Sequence, residues 1–430
     1  MHKAGHEAFL VGGCVRDLIR GIEPEDHDIV TSARPAEVQS LFSHTISVGV
    51  SFGVIVVIED GHRHEVATFR AESDYTDGRR PSTVTFASAK QDVLRRDFTI
   101  NGLLLDVGNG RIIDYVDGLA DIKQKVIRTI GEADLRFSED HLRMLRAIRL
   151  AANLNFTITP DTFSAIKKNA GAICRVSAER IRDELTSFLT RGGARQGIEM
   201  LAASGLLKEI LPEVNALRGV EQPPRFHPEG DVWEHTLRML AVMTGSSDGP
   251  VDPQLAWGVL LHDIGKPPTR FEDGWGVHFH GHVQKGEQIA SDILQRLRFS
   301  NKETGTILAL VHYHMHFMNV REMRPNRLKR FLRMLDFPLH LELHRLDCIG
   351  SHRLLDNYNF CKEKLSELAI EDLHPPRLLT GHDLIDMGFP PGPVFKEILS
   401  GLEDAQLEGD ISTREEARWF VINHWGENYG

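Results

Sequence analysis

Residues 10–31 read LVGGCVRDLIRGIEPEDHDIVT, and they decide how the first part of the chain folds. An apolar start ends in the glycine pair Gly12-Gly13, and Arg16-Asp17 follows at once. Glycine lets a backbone approach phosphate closely and offer it N–H groups. Further on come Asp26-His27-Asp28 and the run Ile29 to Thr31. On a strand, residues two apart share a face, so Asp26 and Asp28 present two carboxylates together. Two carboxylates beside a phosphate loop suit Mg²⁺, which takes oxygen ligands and favours phosphate company. The chemistry this predicts is metal-dependent transfer of a nucleotidyl or phosphoryl group.

Outward from that stretch, short β-branched runs alternate with turn signals up to about residue 118. They cover 46–50, 53–58, 64–69, 84–86, 103–107 and 111–115, with Gly108-Asn109-Gly110 as a hairpin turn between the last two. A mixed α/β sheet with an opening helix near Val15–Arg20 is expected. From about Ala120 the period becomes helical, as in Leu142, Leu145, Ile148 and Ala152. Further helices are expected near 161–170, 177–190, 194–205, 231–243, 254–262, 282–297, 302–314, 325–335 and 338–350. The fold class is therefore α+β: a mixed α/β head followed by an all-helical body.

The 430 residues carry 50 Lys+Arg and 61 Asp+Glu, a net charge of −11, which argues against bulk affinity for nucleic acid. Residues 121–200 depart from that average, with 14 Lys+Arg against 10 Asp+Glu, a local +4. A nucleic-acid site would draw on this stretch. No apolar run nears the roughly 20 residues that span a bilayer. No signal pattern opens the chain, so a cytoplasmic location is expected. Cys14, Cys174, Cys348 and Cys361 form no CxxC and read as scattered reduced thiols.

Other residues extend the first site. Glu65, in a strand-like run, could supply a third carboxylate, or could simply face solvent. Arg16 and Arg96 are suited to bidentate phosphate contact. Ser138 reads as an N-cap ahead of Glu139-Asp140. Asp140 and Arg143, three apart on one helix, would then share a face and could read the edge of a base or form a surface ion pair. Arg146 and Arg149 follow.

Together GGCVRD, DHDIVT, HEVATFRAES, RRDFTINGLLLD, SEDHLRMLRAIRL and SAERIRDEL resemble the ordered motifs of the class II tRNA nucleotidyltransferases, the family of bacterial CCA-adding enzymes and their poly(A) polymerase relatives. The resemblance spans roughly residues 8 to 205. It implies a polymerase-beta-like head sheet. It also implies catalytic Mg²⁺ on Asp26 and Asp28, with Glu65 as the added acid. Nucleotide would be held by Gly12, Gly13, Arg16, Asp17, Arg96, Asp97 and Asn101. Asp140 and Arg143 would pair with the incoming base, and Arg146 and Arg149 would lie against nucleotide or RNA. The polar stretch from Phe69 to Phe86 is expected to be a mobile loop, and Arg70, Glu72, Tyr75, Asp77 and Arg80 match the family's pattern for switching from C to A. CTP, ATP and the tRNA acceptor arm are the implied partners, with no membrane.

A second series, His235, His262-Asp263, His282, His312 and Asp347, resembles the HD-domain metal phosphohydrolases over about residues 225 to 352. His and Asp on facing helices can surround one or two divalent ions. Ni²⁺, Mn²⁺ and Fe²⁺ are the candidates. The choice among His278, His280 and His282, and among His312, His314 and His316, stays open. The resemblance implies metal-assisted hydrolysis of a phosphoester such as a 2′,3′-cyclic phosphate, or a scaffold role. Residues 378 to 425 look like the family's helical tail.

The expected organisation is a head over 1–120, a helical neck over 121–215, an HD domain over 216–355 and a tail over 356–430. The expected function is addition of C, C and A to tRNA 3′ ends. The rivals are an A-only or poly(A)-adding enzyme and, from another class, an HD phosphohydrolase with a nucleotide-sensing head.

Overall fold

The computed structural model describes the whole chain except residues 50–52, 76–80, 226, 247–248, 370–372 and 427–430. It resolves into two compact units. One comprises residues 1–219, 243–257 and 291–300, and the other 220–242, 258–290 and 301–430.

In the first unit seven strands form one sheet: β1 (Ala8–Val11), β2 (Ile29–Thr31), β3 (Thr45–Gly49), β4 (Val54–Glu59), β5 (His62–Thr68), β8 (Leu103–Asp106) and β9 (Arg111–Asp114), in the order β3-β4-β5-β2-β1-β8-β9. All neighbours run antiparallel except β2 and β5, which are parallel with Ile29 opposite Val66. The sheet is thus mixed, as the β-branched runs predict. Alternation fixes its faces: Ile55 and Val57 of β4 are buried between half-buried neighbours. Phe9, Val30, Phe69, Val93 and Leu104 form the core under the first site. Each such fully buried apolar side chain contributes about 1.5–3 kcal/mol.

Two expectations need correction. The described residues after Phe69 do not form a loop: β6 (Arg70–Tyr75) and β7 (Pro81–Phe86) pair antiparallel as a separate two-stranded ribbon. Its β-branched and aromatic residues, Tyr75, Val84 and Phe86 among them, favour that pairing over the polar composition. Arg70, Glu72 and Tyr75 lie on β6, while Asp77 and Arg80 fall outside the described residues. Ser138 is no N-cap either. It lies inside the Ala133–Glu139 helix and donates its hydroxyl to the Leu135 carbonyl. The chain breaks at Asp140, which is extended (φ −144°, ψ 107°), and a new helix runs from Arg143 to Leu154.

The second unit is helical apart from the short strand pair Phe271–Asp273 and Gly276–His278. One cluster in it joins Phe317, Val320, Phe331, Phe337 and Leu341. Another joins Leu384, Ile398, Leu402, Ala417 and Val421 in the tail. All four cysteines are free thiols. No described helix is long and apolar enough to cross a membrane.

Candidate active site and candidate metal centre

The first site grows from Gly12. Its φ of +82° belongs to the left-handed region that side chains disfavour, and the Gly13–Ile19 helix starts directly after it. A Cβ at Gly12 would come within 3.7 Å of Arg96 Nη1 and 3.8 Å of Asp28 Oδ2. The missing side chain therefore leaves open the space between a guanidinium and a carboxylate. The Asp28 carbonyl accepts from Val11 N–H at 3.0 Å, which extends the β1–β2 ladder to the DxD. The parallel register makes Glu65, exposed on β5, the residue level with Asp28 on the same face. Burial raises the Asp28 carboxyl above its ordinary range; Arg96 opposes this and the Asp26 charge adds to it. Two carboxylates in mutual repulsion, with one guanidinium nearby, form a donor set suited to a divalent cation.

Behind the glycines runs a continuous ion-pair chain. Arg16 binds both Asp17 oxygens, at 2.9 and 2.8 Å, and donates through Nη1 to Asn101 Oδ1 at 2.9 Å. Asn101 reaches Asp97 at 3.5 Å, and Arg146 sits 3.1 Å from the other Asp97 oxygen. Burial pushes the Asp97 carboxyl up, but the Arg146 and Arg143 charges outweigh it and hold it below the ordinary range. Arg96 is anchored on the buried Asp92 at 3.1 Å, beside Arg95 at 2.7 Å, and its Nε is buried without a hydrogen-bond partner. Asp92 was not picked out from the sequence, although it stands three and four residues before Arg95 and Arg96, the spacing of helical ion pairs.

Asp140 and Arg143 do not pair. The break at Asp140 turns its carboxylate to Arg180 at 2.7 Å, while Arg143 binds Glu139 at 2.5 Å and the Arg136 carbonyl at 3.1 Å. Arg149 faces Glu184 at 2.5 Å on the Ala178–Leu189 helix. Arg180 and Glu184 escaped the sequence reading because their partners lie 40 and 35 residues away.

The candidate metal centre lies within the second unit. His262, His282 and His314 each bond through Nδ1 to the carbonyl three residues earlier: Val259 at 2.9 Å, Phe279 at 2.9 Å and Val311 at 2.7 Å. That bond places the proton on Nδ1 and leaves Nε2 a lone pair. All three Nε2 atoms are buried without a hydrogen-bond partner, as is that of His235. They face Asp263, which lies 3.1 Å from His262, 3.9 Å from His282 and 3.8 Å from His314. Burial pulls His282 below the usual imidazole range and His314 down to about 4, so both are neutral. Lone pair facing carboxylate is acceptor against acceptor, an arrangement a cation between them relieves. His235 bonds Glu229 through Nδ1 at 2.8 Å and places Nε2 3.2 Å from Asp347. The described residues form three candidate ligand groups: His235–His262–Asp347 and Asp263–His282–His314, which share no residue, and His227–Glu229–His235, which shares His235 with the first; His235–His262–Asp347 and Asp263–His282–His314 could hold one ion each.

His314, not His312, belongs to this set. His312 is half-exposed and pairs with Glu287 at 2.9 Å. The buried face of that segment is Ile307, Leu310, Val311 and His314, at helical spacing, and this period could have made the choice. Gly265 is the joint of the centre. A Cβ there would lie 2.0 Å from the His282 carbonyl oxygen and 2.5 Å from Gly286 N, so only glycine lets the His262-Asp263 turn touch the helix that begins at His282. Lys266 closes the turn on Asp263 at 2.7 Å and Gln222 at 2.6 Å. A cavity of about 510 Å³ opens beside the centre, lined by Gln222, Asp263, Lys266, His282, His314 and Asp347.

Comparison with known proteins follows the same division. Residues 8–128 match the "Poly A polymerase head domain", 155–217 the "Probable RNA and SrmB- binding site of polymerase A" and 232–336 the "HD domain". The CCA-adding enzyme of Lactobacillus johnsonii is 31% identical over 427 residues, covering 99% of this chain and 95% of its own. That of Lactobacillus gasseri is 31% identical over 421 residues, covering 97% and 93%. The crystal structure of the Bacillus stearothermophilus CCA-adding enzyme in complex with CTP superposes with a TM-score of 0.75 at 27% identity, covering 99% of this chain and 95% of that one. Near-complete coverage at this identity shows that the chain belongs to the CCA-adding enzymes, RNA 3′-terminal nucleotidyltransferases.

Proposed function

We propose that the chain adds C, C and A in turn to the 3′ end of tRNA from CTP and ATP, at the site beside Gly12. The observation that carries this reading is the joining of the Asp26/Asp28 carboxylates, the glycine turn and Arg96 around one opening, backed by the Arg16–Asn101–Asp97–Arg146 chain. Asp26 and Asp28, with Glu65 level beside them, would hold Mg²⁺. Bound there, Mg²⁺ supplies positive charge to the reacting phosphate and the departing pyrophosphate. The 3′-hydroxyl of the RNA attacks the α-phosphate in line, and pyrophosphate leaves. The Gly12-Gly13 turn offers backbone N–H groups to the triphosphate, and Arg96, whose Nε lacks a partner, and Arg16 take its oxygens. For Asp140 and Arg143 to read a base edge together, each must first release Arg180 or Glu139. In this reading residues 1–120 carry the chemistry, 121–215 the nucleotide and RNA contacts, 216–355 the metal centre and 356–430 a helical tail.

Three tRNA substrates test it, ending in the discriminator base, in C and in CC, each with CTP, ATP or both. Growth of all three to a CCA end supports the proposal. Extension of only the CC-ended substrate by one A, or long A tails on any RNA, would replace it with an A-only activity.

The aligned, unpartnered Nε2 atoms beside a cavity support a second reading, metal-assisted hydrolysis of a phosphoester in the second unit. Loading with Ni²⁺, Mn²⁺ or Fe²⁺ and assay on a 2′,3′-cyclic nucleotide tests it. Hydrolysis that vanishes in His262→Ala supports an enzyme, and none with any ion leaves a structural metal site.

A further inference from the structure

Five arginines recur every third residue in the second unit: Arg321, Arg324, Arg327, Arg330 and Arg333. Three of them hold the fold together. Arg321 donates to the Asp356 carbonyl at 3.0 Å; Arg330 binds Glu403 at 2.8 Å and Asp404 at 2.9 Å; Arg333 binds Glu403 at 2.6 Å and the Leu373 carbonyl at 3.1 Å. The other two are exposed, and among the described residues neither the Arg324 nor the Arg327 guanidinium has a partner. They stand at the start of the Pro325–Leu332 helix, whose first turn carries no acid.

Both arginines line a groove of about 650 Å³, distinct from the metal-centre cavity, with Tyr313, His316 and Phe331 among its walls. The rings are close: Tyr313 to His316 4.8 Å, and His316 to Phe331 6.2 Å with planes 21° apart. His316 is exposed and lines the groove with its ring beside Tyr313 and Phe331. Glu322 is the one carboxylate along the described lining. In a chain of net charge −11, two uncommitted guanidiniums over an aromatic wall are complementary to a phosphodiester with a base that can stack. A protein partner of acidic character would use the charges but not the rings.

We propose that this groove is an RNA-binding subsite taking one unpaired nucleotide, its phosphate between Arg324 and Arg327 and its base against His316 and Tyr313. The inference rests on the reading of the chain as a tRNA-extending enzyme. The test is equilibrium binding of the full-length protein to CC-ended tRNA across a salt series, with wild-type nucleotide incorporation measured alongside. Arg324→Glu/Arg327→Glu should weaken binding about tenfold or more at low salt and flatten the slope of log affinity against log salt by about 0.7, the value for one lost single-strand phosphate contact. Lys302→Glu/Lys285→Glu, an equal charge change at exposed sites outside the groove, should weaken it much less. His316→Ala should weaken binding severalfold without changing the slope. A groove variant that binds like wild type, or no worse than the lysine control, overturns the subsite and leaves the tRNA-extending reading standing. Wild-type protein that neither binds nor extends tRNA overturns both.

Discussion

The two sites hold their acids in opposite ways. At the first site Asp26 and Asp28 stand exposed just before β2, the Asp26 charge adding to the upward shift of the Asp28 carboxyl, and the buried charges lie behind them in Asp92 and Asp97. At the second, His235, His262, Asp263 and His314 are themselves buried, and the cavity is lined by Asp263 and His314. An open acidic pair over a braced floor suits a triphosphate and a metal that arrive and leave together with each cycle. A buried cage of lone pairs, fixed from behind by carbonyls at His262, His282 and His314 and by the Glu229 carboxylate at His235, suits an ion that stays.

That contrast can be broken most sharply at Asp28. Asp28→Ala should cut nucleotide incorporation on the order of a thousandfold or more while metal content of the second unit stays unchanged. Full retained incorporation would remove Asp28 from the site. Next comes the histidine pair. His314→Ala should weaken metal binding by more than about a hundredfold and His312→Ala hardly at all, read by metal analysis after dialysis. The reverse result would restore His312 as ligand and undo the argument from the buried helical face.

The braced floor gives a smaller effect. Arg146→Ala leaves the buried Asp97 with the Arg143 charge, Asn101 and the Phe98 N–H, and should destabilise the protein by about 2 kcal/mol in urea unfolding, less than full orphaning of a buried charge. Its pH dependence follows from the lowered Asp97 carboxyl. The stabilisation is complete above the unfolded value of about 3.9 and disappears as pH falls through the lower folded value. Wild type should therefore lose more stability than Asp97→Asn on acidification below about pH 4. Identical acid limbs would show that Asp97 is not held ionised. The smallest effect belongs to the surface pair Arg191–Glu25, 3.2 Å apart with both side chains exposed. Glu25→Gln should shift stability by less than about 0.5 kcal/mol.

Much of this was written in local pattern. The β-branched runs, the glycine turn, the DxD and the ordered His and Asp residues each depend on neighbours within a few positions, where periodicity and backbone preference act directly. The sequence by itself determined a mixed sheet, a helical body and two metal-suited clusters. Only the tertiary structure decided which groups meet. A break at Asp140 separated it from Arg143 and gave it Arg180, 40 residues on. His314 displaced His312 because its helix buries one face against the unit's core. The need for glycine at 265 comes from the His282 carbonyl and Gly286 packed against it, not from its neighbours in sequence. Spacing along the chain sets the direction in which a side chain leaves its own element. The partner it meets depends on how whole elements pack, and that is set by the sum of all their buried surfaces.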